Sequence, residues 1–107
     1  MPPPVIFHPL AKRELQEGAL YYEDQSYGLG SEFRTEVRDY LERIIANPLR
    51  YAIRTADVRR ANLKRFPYHL NYTLHGGAIA VVAVSHHRQR PFYWLERTRD
   101  RGWISPD

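Results

Sequence analysis

The side chains able to do chemistry gather in the second half of the chain, and they are mostly guanidinium and imidazole groups. Arg59, Arg60, Lys64 and Arg65 come first, and His69 follows. The run His86-His87-Arg88-Gln89-Arg90-Pro91-Phe92-Tyr93-Trp94 closes the set. An imidazole titrating near neutrality can take a proton from a ribose hydroxyl. Arginines can neutralise the phosphorane that forms, and an acid can protonate the leaving oxygen. As a catalytic set for metal-independent RNA cleavage, the residues are Arg88, Arg90, Tyr93, His69 and His86. As a binding set for an acidic peptide or a nucleic-acid backbone, they are Arg59, Arg60, Lys64, Arg65, Arg88 and Arg90. A third reading leaves the arginines solvated while Tyr93 and Trp94 seal a sheet edge. Residue types alone leave all three open.

Other chemistries fit poorly. Gly28-x-Gly30-x-x-Phe33 imitates a dinucleotide fingerprint but follows a helical pattern and lacks the third glycine. Glu32 would also repel a phosphate at that helix start. His86 and His87 are adjacent, so on a strand they point to opposite faces, and no His-x-x-x-His with a nearby carboxylate occurs. Neither a Gly-x-Ser-x-Gly nor a Walker sequence is present. No metal and no cofactor is expected. Residues 1–49 carry a net charge of −3 and residues 50–107 a net of +7, giving the overall +4. The basic half holds a single lysine, Lys64, so its excess is arginine, whose planar fork suits phosphate or carboxylate.

The elements that must position these residues follow from periodicity. The 107 residues suffice for one domain, with 43% hydrophobic and 26% charged residues, as in soluble globular chains. The absence of cysteine fits a cytoplasmic protein, and no apolar run is long enough for a membrane span. Val5-Ile6-Phe7 reads as a short strand. Ala11, Leu15, Ala19 and Tyr22 mark a helix over residues 9–26, with Pro9 at its first position. Gly28-Leu29-Gly30 breaks it, and Ser31 reads as the N-cap of a second helix carrying Phe33, Val37, Tyr40, Leu41 and Ile44. After Pro48 the period changes to two. Ala61 and Leu63 alternate with polar neighbours, as do Tyr68, Leu70, Tyr72 and Leu74. Gly76-Gly77 signals a hairpin, and Ala78 to Val84, apolar on both faces, reads as a central strand under the helices. Phe92 to Leu95 reads as either a strand or a helical turn.

The expected fold is therefore α+β: an N-terminal strand, then a helical hairpin packed on a twisted antiparallel β-sheet, in the order β-α-α-β-β-β. A single domain over 1–107 is expected, with residues 1–4 and about 98–107 as loose tails. The expected core is Leu15, Tyr22, Phe33, Val37, Leu41, Ile44, Leu70, Tyr72, Val81 and Val84.

Five short pieces in this order resemble the RelE/ParE superfamily of type II toxin–antitoxin toxins, often called plasmid stabilisation proteins. They are Tyr21-Tyr22-Glu23, Gly28-Leu29-Gly30 with Phe33, Asn47-Pro48 with Tyr51, Phe66-Pro67-Tyr68 with Tyr72, and Ala83-Val84 with His86, Arg90-Pro91 and Tyr93-Trp94. The resemblance runs from about Phe7 to Arg97. It implies a cytoplasmic toxin that binds a cognate antitoxin in a hetero-oligomer. RelE-like members are ribosome-dependent mRNA endonucleases, whereas ParE-like members poison DNA gyrase. Arg88, Arg90 and Tyr93 match the nuclease branch's arginine-rich segment and tyrosine. His69 stands where those members carry an arginine, and the chain runs on past Tyr93 to Asp107. The helical hairpin is similar to the ParE side. The resemblance thus implies a ParE-like gyrase poison, with an mRNA endonuclease or an inactive antitoxin-binding relic as alternatives.

Overall fold

Strand turns into helix within two residues, because the His8 imidazole Nδ1 accepts the Leu10 N–H at 3.0 Å and Pro9 needs no donor partner. The computed structural model describes residues 1–104. β1 (Val5–Phe7) leads into α1 (Pro9–Gln25) and α2 (Leu29–Ala46). β2 (Ile53–Thr55), β3 (Val58–Asn62), β4 (Tyr68–His75) and β5 (Ala78–His86) follow, then a 3-10 turn over Leu95–Thr98. The α+β order is as expected, with the short β2 added. No helix among the described residues is long and apolar enough to cross a membrane.

The sheet order is β1-β5-β4-β3-β2. β2 to β5 form an antiparallel meander, but β1 runs parallel to β5, pairing Val5–Phe7 with Ile79–Val81. The sheet is therefore mixed rather than wholly antiparallel. The helical hairpin and the whole meander separate the two strands, so no tight turn forces them antiparallel. Asn71 pairs with Ala83 and Tyr72 with Val81, which leaves Val82 as an extra residue in β5. That bulge shifts the alternation, so Ile79, Val81 and Val84 all reach the helix side.

On that side Phe33, Val37, Ile44, Leu70, Tyr72, Val81 and Val84 are buried, while Leu15, Tyr22 and Leu41 pack half-buried at the rim. The second face of β5 is covered by the C-terminal segment and not by the helices. Val58, Val82 and Ala83 lie under Trp94, and Ala78 and Ala80 lie against Ile104 and Trp103. The tail expected to be loose from about residue 98 is thus packed as far as Ile104. Trp103 donates its indole N–H to Arg97 O at 2.9 Å, and Arg101 pairs with Asp57 at 2.8 Å. An open apolar sheet face draws in Trp103 and Ile104. Residues 105–107 lie outside the described residues.

The helix junction explains the Tyr-Tyr-Glu and Gly-Leu-Gly pieces. Gly28 is the cap of α2, with φ +84°, and Ser31 lies inside its first turn. The capping acceptor comes from α1: Glu23 takes the Gly28 N–H at 2.9 Å and the Gly30 N–H at 3.1 Å. A Cβ on Gly30 would stand 2.4 Å from Ala19 O. Replacing Gly30 by Ala should therefore destabilise the protein by about 1–3 kcal/mol, measured by urea unfolding. A loss near zero would show that the helices separate without cost.

Candidate functional site

Across the sheet from the helices, at the end away from β1, lies a cleft of about 150 Å³. Its floor is polar and internally hydrogen-bonded. The Asn71 side-chain amide donates to Ser85 Oγ at 3.0 Å, and Ser85 Oγ lies 3.0 Å from the Tyr93 hydroxyl. Arg54, Arg60 and Arg90 line the walls, with Phe92 and Pro91 at the rim. No lining residue is acidic. β3, β4 and β5 bring Arg60, His69 and Ser85 to one face because the meander puts Asn62 opposite His69 and His69 opposite Ser85.

His69 and His87 form the cleft's other wall. Their rings stack at 5.2 Å and 12°, with the two Nδ1 atoms 3.0 Å apart. One nitrogen must donate and the other accept, so the two rings cannot both be protonated while the contact holds. Burial, reinforced by the positive charge of Arg60 and Arg54, holds His69 down at about 3. Burial and Arg60 lower His87 as well. An unfolded chain would protonate His69 near its ordinary value of 6.5. Between those limits the unfolded state binds more protons, so stability should fall as pH drops below about 6.5 towards 3. Each pH unit should remove up to about 1.4 kcal/mol. Urea unfolding of the intact chain and of His69→Gln checks this. The variant should show a shallower acid slope, and identical slopes would sink the assignment.

Tyr93 connects the cleft to an ion pair at the sheet edge. Its hydroxyl donates to Glu14 Oε2 at 2.7 Å, and burial chiefly pushes the phenol up to about 12. Arg97 grips the same carboxylate with both terminal nitrogens at 3.0 Å, its guanidinium lying over the Tyr93 ring. Both partners are mostly buried, with side chains 16% and 12% exposed for Glu14 and Arg97. β1 pairs with β5 only as far as Val81, so the edge beyond has no neighbouring strand. There Arg97 donates to Val82 O at 3.1 Å and Glu14 accepts the Val84 N–H at 3.0 Å. Gln89 accepts the His86 N–H at 2.8 Å. Side chains complete the hydrogen bonding that a longer β1 would have made.

This fold and charge arrangement can be set against known proteins. Residues 5–91 match the family described as the ParE toxin of the type II toxin–antitoxin system parDE. The chain belongs to the ParE toxin family. Among solved structures it is similar to a chain described as the chromosomal ParDE TA system from P. aeruginosa, at 13% identity and a TM-score of 0.67. The alignment covers 78% of this chain and 95% of that one, and at such identity it shows a shared fold. No curated protein matches in sequence. The ParE match closes at Pro91, so the segment bearing Tyr93, Trp94 and Arg97 lies beyond it.

Within this ParE framework the sequence-based candidates separate. Arg60, His69, Arg90 and Tyr93 meet at the cleft, whereas His86 borders it with its ring turned to Tyr68 on the helix side. Arg88 stays exposed outside its lining, with its backbone N–H on His86 Nδ1 at 3.0 Å. Arg59 is spent on the loop after α2, donating to Tyr51 O at 2.7 Å and Leu49 O at 3.2 Å. Arg65 pairs with Glu32, and Lys64 is exposed. His86 and His87 do point to opposite faces: His86 meets the Tyr68 ring edge, whereas His87 stacks on His69. The Phe92–Leu95 stretch is neither strand nor regular helix. It is a turn that passes into the 3-10 segment at Leu95. Arg54, Asn71, Ser85 and Glu14 escaped sequence reasoning. Glu14 had a usable signal, since it sits on the apolar stripe of α1, three residues after Ala11 and four before Gly18. Arg54 had none, on a three-residue strand.

Proposed function

We propose that this ParE-family toxin arrests growth in the cytoplasm by poisoning DNA gyrase, and that a cognate antitoxin neutralises it. The observation that carries the reading is the ParE match over residues 5–91. The cleft's chemistry supports it from the other side, because an acid–base cleavage set is poorly poised there. The Tyr93 proton is committed to Glu14, with the phenol pushed up to about 12, and His69 is held down at about 3. Efficient proton transfer at neutral pH favours groups titrating near 7. Arg88 lies outside the cleft lining.

Induced expression without antitoxin, with DNA, RNA and protein synthesis followed separately, tests the proposal. The expected result is a DNA-damage response with gyrase trapped on cleaved DNA and mRNA left intact. Cleaved mRNA on translating ribosomes with undamaged DNA would establish the endonuclease reading instead. Unimpeded growth would mark an inactive antitoxin-binding relic. In the same assay, Arg88→Ala with Arg90→Ala should relieve toxicity in a folded protein, since both side chains are exposed and contribute little to stability. Toxicity that survives the double change would place the working surface elsewhere. Tyr93→Phe, checked for folding, should leave arrest largely intact in a gyrase poison.

A further inference from the structure

We propose that the arginine-lined cleft is a docking site for single-stranded nucleic acid, holding one backbone phosphate between Arg54, Arg60 and Arg90 while the adjoining base stacks on Phe92. Three observations carry this. First, the cleft's positive charge is uncompensated. None of the three arginines makes an ion pair with a carboxylate among the described residues, and only Arg60 has a side-chain partner, Asn62. Glu14, which accepts from the lining residue Tyr93, is not itself a lining residue and is already matched by Arg97. Three arginines lining one walled cleft without an acid favour a phosphate over solvent, because positive charge is concentrated there.

Second, the rim carries an aromatic ring in an unusual position. Phe92 is 43% exposed, and its backbone has φ +59°, a conformation that bulky residues avoid. The packing that over-determines it is visible next door. Trp94 is buried beneath and meets the Phe92 ring edge-on at 6.0 Å. A ring held out at the mouth of a cationic cleft is a stacking platform, which every nucleobase can use. An acidic peptide would use the arginines but has no need of the ring. Third, both floor hydroxyls are already engaged: Ser85 lies against Asn71 and Tyr93, and Tyr93 donates to Glu14, so neither is free as nucleophile or acid and the cleft grips a phosphodiester without cutting it. The site stands independently of the gyrase proposal, and its test uses the isolated protein.

Fluorescence anisotropy of the full chain with a short labelled oligothymidylate reads the binding, and an oligouridylate of equal length separates DNA from RNA as the source. Binding should weaken steadily with salt. Arg54→Gln with Arg90→Gln should weaken it about tenfold or more, and Phe92→Leu about tenfold through lost stacking. An abasic oligonucleotide should bind more weakly and be indifferent to Phe92→Leu. Phe92→Gly, which suits the positive φ, repeats the stacking test in a backbone without strain. Either nucleic acid behaving in this way supports the site. The proposal is overturned if the arginine substitutions leave binding unchanged, or if Phe92 changes affect the abasic strand equally. An oligoglutamate that competes as well as the oligonucleotide also overturns it and identifies an acidic-protein surface.

Discussion

Glu14→Ala is expected to cost about 3–5 kcal/mol of folding stability, the largest effect of any single substitution away from the apolar core. Four groups lose their acceptor at once: both terminal nitrogens of Arg97, the Tyr93 hydroxyl and the Val84 N–H. The guanidinium is left mostly buried with only Val82 O to receive it. An unpaired buried charge is costlier than the pair was favourable, so the loss reflects what remains rather than what was removed. Glu14→Gln should fall between, since it keeps one of the two acceptor oxygens but turns the other into an NH2 donor and removes the charge. Changing both partners, Glu14→Leu with Arg97→Met, should cost much less than the two single changes together, because no orphaned charge remains. Urea unfolding of the four proteins measures all of this. A loss below about 1 kcal/mol for Glu14→Ala would mean that water replaces the carboxylate and that the edge of β5 is wetter than its geometry implies.

That ion pair also marks where the sequence stopped being legible. The helical stripes, the Gly76-Gly77 hairpin and β4 could be read because each has a local period that only one element satisfies. The partners of the apolar run in β5 could not. A strand apolar on both faces needs two covers, and only the helical one announces itself by spacing. The other cover comes from Trp94, Trp103 and Ile104, isolated apolar residues in a segment without period. The parallel pairing of β1 is likewise a tertiary choice, settled by where the helices deliver the chain. At the site, antiparallel register made the meeting of His69 and Arg60 foreseeable, because Asn62 opposes His69 and shares a strand face with Arg60, whereas His86 opposes Tyr68 and turns its ring to the other face. Whether each arginine faces the cleft or a neighbouring carbonyl was not foreseeable. Arg59 and Arg60 are adjacent and identical in type, yet the strand sends one to the Tyr51 carbonyl and the other to the cleft. Arg59 is thus taken up by the Tyr51 carbonyl and Arg65 by Glu32, while Arg60 lines the cleft.

The proposed antitoxin should associate with this toxin ten- to a thousandfold faster at low salt than at high salt. The charge split sets the expectation: the second half of the chain carries +7 and the first half −3, so the long-range field is polarised rather than uniform. At the end of the sheet Arg54, Arg60 and Arg90 line one cleft with no acid among the lining residues, which adds to that polarity. Acidic residues of the antitoxin should reach Arg60, Arg88 or Arg90 in preference to Arg59 and Arg65, which already hold partners. Apolar side chains of the antitoxin have exposed counterparts in Leu20, Tyr21 and Tyr27 near the helix junction, and in Leu49 and Ile53 before and on β2. A segment that folds as it binds must offset an ordering cost of about 2–5 kcal/mol, so it should bury roughly 1,000–3,000 Å² in total. An interface of that size can span both regions. Stopped-flow association at several salt concentrations measures the dependence, and Arg60→Gln with Arg90→Gln should flatten it while changing dissociation less. A salt-independent rate, or a complex whose antitoxin avoids Arg60, Arg88 and Arg90, would assign the charge split to another partner. If the antitoxin does seat a carboxylate between those arginines, it should also displace an oligonucleotide from the cleft. Neutralising the toxin and clearing its anion site would then be a single event.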